Sequence, residues 1–110
     1  MGASIEVAVL RTTCRTTVSV SGDLDLATVG VLRARLAPVL DERPELLVLD
    51  VGALSFVDAT GVQCVVEAAT AVRRAGGRLV LARPSRMLRR VLHLLELEHE
   101  LPVEEAAVPD

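Results

Sequence analysis

Residues 46–62 have the sequence LLVLDVGALSFVDATGV, and this stretch decides the fold. It begins with a continuous apolar run, Leu46–Val51, which has the length of a strand and is typical of a strand covered on both faces. Helical spacing follows, because five apolar side chains share one face: Val62, Val65, Val66, Ala69 and Val72. The stretch therefore predicts a buried strand that gives way to a helix, with the polar segment Asp58–Gly61 at the junction.

Strand and helix patterns alternate along the rest of the chain. Two short period-two runs, Ile5–Val9 and Val18–Val20, predict a hairpin whose turn is the polar segment RTTCRT. A helical stripe predicts a helix at Leu26–Leu40, with Asp25 as its N-cap. The tail has room for a short edge strand near Leu101–Val103.

The second half of the chain carries clear stop and start signals. Gly76-Gly77 predicts the end of a helix over Gly61–Arg74. A second buried strand is predicted at Arg78–Ala82, followed by a helix at Arg86–Leu95 capped by Ser85. This alternation argues for parallel strands joined by right-handed crossovers. The fold class is therefore α/β, one domain over residues 1–110, with a mixed sheet of an N-terminal hairpin strand plus parallel strands packed against helices.

Composition excludes several classes of protein. The net charge of -3 and the single aromatic residue, Phe56, argue against binding of nucleic acid. No segment has the length of a membrane span, so we expect a cytoplasmic protein. Without an export signal, Cys14 and Cys64 are expected to be free thiols. The spacing of the cysteines and histidines fits no metal site, and we expect no cofactor.

The junction itself allows three interpretations. Thr60 and Gln63 fit a capping box, in which the threonine hydroxyl caps the helix. The same hydroxyl lies at a helix start that could hold a phosphate or receive one. A phosphoryl group there would add negative charge beside Asp58, and also beside Asp23 and Asp25 if these lie near. Cys64, one turn after Thr60, could face the same surface as a redox modulator or merely fill space in the helix.

Other sites are less well supported by the residues. Asp50 resembles the phosphate-accepting aspartate of a receiver domain, but all twelve basic residues are arginine, so the lysine of such a site is missing. We interpret Asp50 as an acid that caps local amides. No nucleophile, base and orienting acid occur together, so we expect no enzyme.

Three segments together resemble the STAS domain, and within it the bacterial anti-sigma-factor antagonists: VSVSGDLDLATVGVLRARLAPVL, LVLDVGALSFVDATGV and AGGRLVLARPSRMLRRVL. The resemblance runs from about Val18 to Val103. It implies a protein, monomeric or weakly dimeric, that binds an anti-sigma factor with serine/threonine kinase activity and so releases a sigma factor. Phosphorylation by the same partner would switch the interaction off.

The resemblance also implies site residues. The family's phosphate-accepting hydroxyl matches Thr60, and its docking loop matches Gly22, Asp23, Leu24 and Asp25. The expected partner-binding residues are Asp23, Asp25, Asp58, Ala59, Thr60 and Gly61, to which the exposed side of the following helix adds Gln63 and Cys64. The chain departs from the family pattern in having Thr60 in place of serine, Ala59 in place of a small polar residue and Glu96 in place of a glycine, and in a closing helix cut short by EEAAVPD. STAS domains also serve as cytosolic subunits of lipid-transport ATPases, which is the alternative function.

Overall fold

The fold was analysed in a computed structural model that describes residues 4–104. Four strands and three helices follow one another in the order β1 Ile5–Arg11, β2 Thr16–Leu24, α1 Val29–Asp41, β3 Leu46–Val57, α2 Ala59–Arg74, β4 Arg78–Ala82 and α3 Arg86–Leu94. The predicted order of elements is confirmed. The largest difference in length is β3, which continues six residues beyond the predicted Val51 and ends directly before the polar segment at Asp58.

The four strands form one mixed sheet in the order β1-β2-β3-β4. β1 and β2 pair antiparallel as the predicted hairpin, while β2 with β3 and β3 with β4 pair in parallel. Each parallel pair is joined through a helix, as a crossover requires. Because the two central strands, β2 and β3, are parallel, their carboxyl ends lie side by side at the same end of the sheet.

A single core lies between the sheet and the helices. Buried apolar residues of all three helices and of alternate strand positions form one cluster, which includes Val18, Val20, Leu32, Leu36, Leu47, Leu49, Val65, Ala69, Leu79, Leu81, Leu88 and Leu92. These side chains are almost all valine, leucine and alanine. The tight aliphatic core holds the helix starts in fixed positions relative to the strand ends.

The first helix begins three residues later than predicted. Residues 25–28 form a turn that begins at Asp25, and the helix starts at Val29, with Thr28 at the N-cap position. Leu26, which was expected on the buried stripe, is 75% exposed. Both predictions were wrong because the apolar spacing continues from the turn into the helix, so that periodicity alone could not separate the two.

The ends of the other helices follow the predicted signals. Gly76 has φ +93°, and Gly77 donates its amide to the Val72 carbonyl, which closes α2 in a Schellman motif. Ser85 accepts the Leu88 amide at 3.0 Å and so caps α3. The same closing motif ends α3, where the left-handed position is occupied by Glu96 at φ +56° instead of glycine.

Beyond β4 the sheet is extended by a short segment. Val103 forms a parallel bridge with Leu81, whose amide donates to Pro102 and whose carbonyl accepts from Glu104. This confirms the predicted edge strand, although only as one bridge. The closing segment EEAAVPD lies almost wholly outside the described residues.

Asp50 lies within β3, and its carboxylate accepts the Gly52 amide at 2.9 Å. The predicted role in capping a local amide is confirmed. Arg83 also donates two hydrogen bonds of 3.1 Å to the same carboxylate. The sequence did not predict this ion pair, which together with the Gly52 amide gives the Asp50 carboxylate a structural role.

Candidate functional site

The candidate site is built at the adjoining ends of β2 and β3. Asp23 pairs in register with Phe56, and Leu24 pairs with Val57. The Asp58 amide then donates to the Leu24 carbonyl at 3.1 Å, so that pairing continues to the last residue before α2. The segment Ser21–Leu24 is therefore the end of a strand. This pairing brings Asp23 and Asp58 to the same edge of the sheet.

A hydrogen-bonded turn fixes the chain after β2. The buried Thr28 hydroxyl donates to the Asp23 carbonyl at 2.7 Å and accepts the Asp25 amide at 3.0 Å. The Asp25 carboxylate accepts the amides of Ala27 and Thr28 at 3.0 and 3.1 Å. Asp25 therefore stabilises this turn, and the prediction that it is the N-cap of α1 was wrong. Its carboxylate is partly used inside the turn.

Asp58 caps α2. It has an extended backbone at the N-cap position, and its carboxylate accepts the Gly61 amide at 3.0 Å. The predicted capping box of Thr60 and Gln63 is therefore wrong. Thr60 already lies in the first turn of the helix, two residues past the cap, where its backbone is helical.

The hydroxyl of Thr60 is consequently unengaged. Within residues 4–104, no group forms a hydrogen bond with it, and the residue is half-buried. Ala59 on one side and Gln63 one turn later are exposed. The first turn of α2 thus presents a free alcohol with two accessible neighbours, next to the Asp58 carboxylate.

Gly61 lets α2 approach the strand ends closely. A Cβ at this position would lie 2.7 Å from Leu24 Cγ, 2.8 Å from Val57 Cγ2 and 2.9 Å from the Leu24 carbonyl oxygen. Real Cβ atoms do not approach other heavy atoms this closely, so glycine is required by packing. Gly61 is buried and belongs to the framework beneath the surface, although it was assigned to the partner-binding set.

Cys64 also lies below the surface. It is 3% exposed and packs in the core, and burial raises the pKa of its thiol. Its assignment to an exposed partner surface shared with Thr60 is therefore not supported by its position. Cys14 is exposed and, like Cys64, is a free thiol, as predicted.

The structural roles of two residues of the site were not predicted from the sequence. Thr28 ties the Asp23 carbonyl to the turn, and Leu24 packs under Gly61. The signal for Thr28 was present in the spacing Asp25-x-x-Thr28, which is typical of a local side-chain-to-backbone turn. Leu24 gave no signal, because its role depends on the tertiary contact with α2.

The site therefore consists of a free hydroxyl and two carboxylates at a strand–helix junction. Asp23, Asp58 and Thr60 are held by backbone pairing, a helix cap and a close helix contact. The described part of the chain has no cluster of histidine, cysteine and acid suited to a metal ion. Nor is any helix in residues 4–104 long and apolar enough to cross a membrane. The arrangement can accept a group on the hydroxyl or contact another protein.

The order of elements and this junction define the class of protein. The family model of the STAS domain matches residues 4–107, and the chain belongs to the STAS domain family. Comparison with curated proteins gave no match.

Solved structures with the same fold include several anti-sigma factor antagonists. The antagonist from Mycobacterium paratuberculosis is 25% identical, with a TM-score of 0.84 over 94% of this chain and 88% of that one. SpoIIAA from Bacillus, in its phosphorylated form, is 21% identical, with a TM-score of 0.71 over 94% and 93% of the two chains. The murine anion transporter Slc26a9 shares the fold at 15% identity and a TM-score of 0.68, over 84% of this chain but 16% of its own length.

Proposed function

We propose that this protein is an anti-sigma-factor antagonist that binds a kinase-type anti-sigma factor and is switched off by phosphorylation at Thr60. The proposal is carried by one observation, the free Thr60 hydroxyl in the first turn of α2 beside Asp58. Membership of the STAS family and the likeness to the mycobacterial antagonist support the general role.

The group transfer needs only the hydroxyl from this chain. Thr60 Oγ attacks the γ-phosphorus of ATP bound to the kinase, so that the O–P bond to Thr60 forms and the bond to the β-phosphate oxygen breaks. ADP leaves, and the hydroxyl proton passes to a base of the kinase. A hydroxyl that is not used as a helix cap can attack the phosphorus without first breaking a hydrogen bond of the fold.

The phosphorylated surface would differ chiefly in charge. A phosphothreonine carries about -1.5 to -2 charge near neutral pH. It would lie at the helix start, where the helix dipole favours an anion, yet near the carboxylate of Asp58, which caps the same helix. Within the protein the two effects oppose each other. A partner whose groups pair with the carboxylates of this surface would meet an altered charge and a larger side chain.

The test is phosphorylation of purified protein by candidate anti-sigma kinases from the same genome, followed by mapping of the phosphopeptide. Wild type and Thr60→Ser should gain one phosphate on residue 60. Thr60→Val, which keeps the β-branched shape without the hydroxyl, should bind the kinase but gain none. Thr60→Glu should fold and bind at least about tenfold more weakly, a change of about 1.4 kcal/mol.

Ser55 provides the matched control, because it is an exposed hydroxyl on β3 a few residues from Thr60. Ser55→Ala should leave phosphorylation unchanged. Phosphate on Ser55, or binding by Thr60→Glu as tight as wild type, would refute the switch. Co-purification with an ATPase subunit and no kinase would instead favour the lipid-transport alternative.

A further inference from the structure

An apolar cleft lies between the end of β3 and the exposed side of α3. It has a volume of about 460 Å³, and its walls include Leu54, Phe56, Met87 and Val91. Phe56 and Met87 are 53% and 70% exposed, although both are large apolar side chains. Large apolar side chains gathered around a concavity, unlike scattered ones, mark an interaction site.

The helix beside the cleft is basic. α3 contains Arg86, Arg89 and Arg90 and no acidic residue. A fourth arginine, Arg83, lies three positions before the helix. Arg83 is used by Asp50, whereas the other three form no salt bridge within residues 4–104. Three arginines that form no salt bridge within the described residues therefore share one short helix, in a chain whose net charge is -3.

Helical geometry places charge and cleft next to each other. Met87 and Val91 are four residues apart and form one row that faces the cleft, which Leu94 continues at its exposed end. Arg86 and Arg90 form the adjoining row, about 100° around the helix. The surface is therefore an apolar trough with arginines along its α3 rim.

We propose that this cleft is a docking site for an amphipathic helical segment of a protein partner, whose apolar side chains fill the trough and whose acids pair with Arg86 and Arg90. Charge complementarity selects an acidic occupant, and a concave apolar trough suits a helix with apolar residues at i, i+3, i+4 and i+7. The inference does not depend on the phosphorylation of Thr60 or on the identity of an anti-sigma factor.

Two other occupants fit less well. A second copy related by a twofold axis would place the same arginines opposite one another, because a twofold interface is self-complementary. A membrane surface is flat and would leave the trough unfilled, and the net negative charge of the protein opposes binding to anionic lipid.

The test uses labelled synthetic helices of about four turns, with leucines on one face and either glutamate, glutamine or lysine at the flanking positions. Binding to the intact protein is measured by fluorescence anisotropy. The glutamate helix should bind at least about tenfold more tightly than the glutamine helix, and the lysine helix should not bind. Added salt should weaken the binding of the glutamate helix more than that of the glutamine helix.

Variants locate the binding surface. Met87→Glu and Arg90→Glu should each weaken binding of the glutamate helix by about tenfold or more. Arg35→Glu makes the same charge change at an exposed position of α1 and should alter the affinity for the glutamate helix less than about twofold. Thermal unfolding of each variant checks that the fold is intact.

Three outcomes would overturn the proposal. The first is that no helix binds, or that the three helices bind equally. The second is that Arg35→Glu weakens binding as much as Arg90→Glu, which would indicate a general charge effect. The third is that vesicles containing phosphatidylglycerol bind the wild type but not Met87→Glu while the glutamate helix does not bind, which would assign the surface to a membrane.

Discussion

The amide of Asp58 donates to the carbonyl of Leu24 at 3.1 Å, while the carboxylate of Asp58 accepts the Gly61 amide at 3.0 Å. One residue therefore joins the end of β2 to the start of α2. The position of the Thr60 hydroxyl follows from these two bonds, because Thr60 lies between the cap and Gly61. Stability of the junction and presentation of the hydroxyl belong to different residues, which can be separated by substitution.

Removal of the Asp58 side chain should lower the free energy of unfolding through loss of the helix cap. We expect Asp58→Ala to lose about 1 kcal/mol, and Asp58→Asn, which keeps an acceptor, to lose less. Thr60→Val should stay within about 0.5 kcal/mol of wild type, because its hydroxyl caps nothing. Urea unfolding measures all three. A loss in Thr60→Val equal to that in Asp58→Ala would show that the cap has been assigned to the wrong residue.

The close approach at Gly61 predicts contrasting effects of glycine-to-alanine changes. Gly61→Ala places a methyl group within 2.9 Å of Leu24 and Val57 atoms and should cost about 1–3 kcal/mol. Gly30→Ala, inside α1, meets nothing within 4 Å and should stabilise the helix by up to about 1 kcal/mol. Thermal unfolding compares the pair. Equal melting temperatures for the two variants would contradict the packing argument.

Glu96 offers a stabilising substitution. It occupies the left-handed position that closes α3, at φ +56°, where a side chain is disfavoured. Glu96→Gly should therefore raise the free energy of unfolding by about 1 kcal/mol. The matched control is Gly76→Ala, at φ +93° in the same motif of α2, which should lower it by a similar amount. Denaturant curves showing Glu96→Gly to be less stable than wild type would exclude backbone strain at this residue.

The two thiols should react at very different rates. Cys14 is exposed, whereas Cys64 is buried, and burial raises the pKa of its thiol. A thiol-specific disulfide reagent at neutral pH should titrate one group in folded protein and two in urea. Because the unfolded chain releases the Cys64 proton at lower pH than the folded one, the free energy of unfolding should fall as pH rises past the ordinary thiol value of 9.0. Cys64→Ala should flatten this dependence.

The proposed partner surface predicts an effect of charge reversal without loss of stability. Asp23 is half-buried at the end of β2, and Asp23→Arg should weaken binding of the anti-sigma kinase by more than about tenfold. Asp41→Arg reverses an exposed charge at the end of α1 and should change it less than about twofold. Isothermal titration distinguishes the two variants. Equal affinities of Asp23→Arg and wild type would remove Asp23 from the interface.

The fold was largely predictable because its elements have distinct apolar spacings. The runs at residues 46–51 and 78–82 are too apolar for a surface strand, and two glycines end α2. The cap of α2 was not predictable from spacing, since Asp58 and Thr60 are both good N-cap residues. Strand pairing decided between them, because β3 remains paired with β2 as far as Val57 and the Asp58 amide still bonds the Leu24 carbonyl, which fixes Asp58 at the point where the helix begins.

The candidate site was predictable only in part for a related reason. Sequence order identified Asp23, Asp58 and Thr60, since strand ends of a parallel sheet meet at one edge. Burial of Gly61 and Cys64 could not be deduced, because it depends on how closely α2 approaches the sheet. The cleft also could not be predicted from the sequence, since it brings together Phe56 and Met87, which are thirty-one positions apart in the chain.

The bridge between Val103 and Leu81 has a consequence for solubility. A free outer edge on β4 would offer backbone amides and carbonyls to the sheet of another molecule, which is a common route to aggregation. Pro102 and Glu104 occupy the Leu81 amide and carbonyl, and Glu104 also forms a salt bridge with Arg15. The short segment thus blocks pairing of β4 with a strand of another molecule. A protein cut after Leu101 is expected to associate through β4.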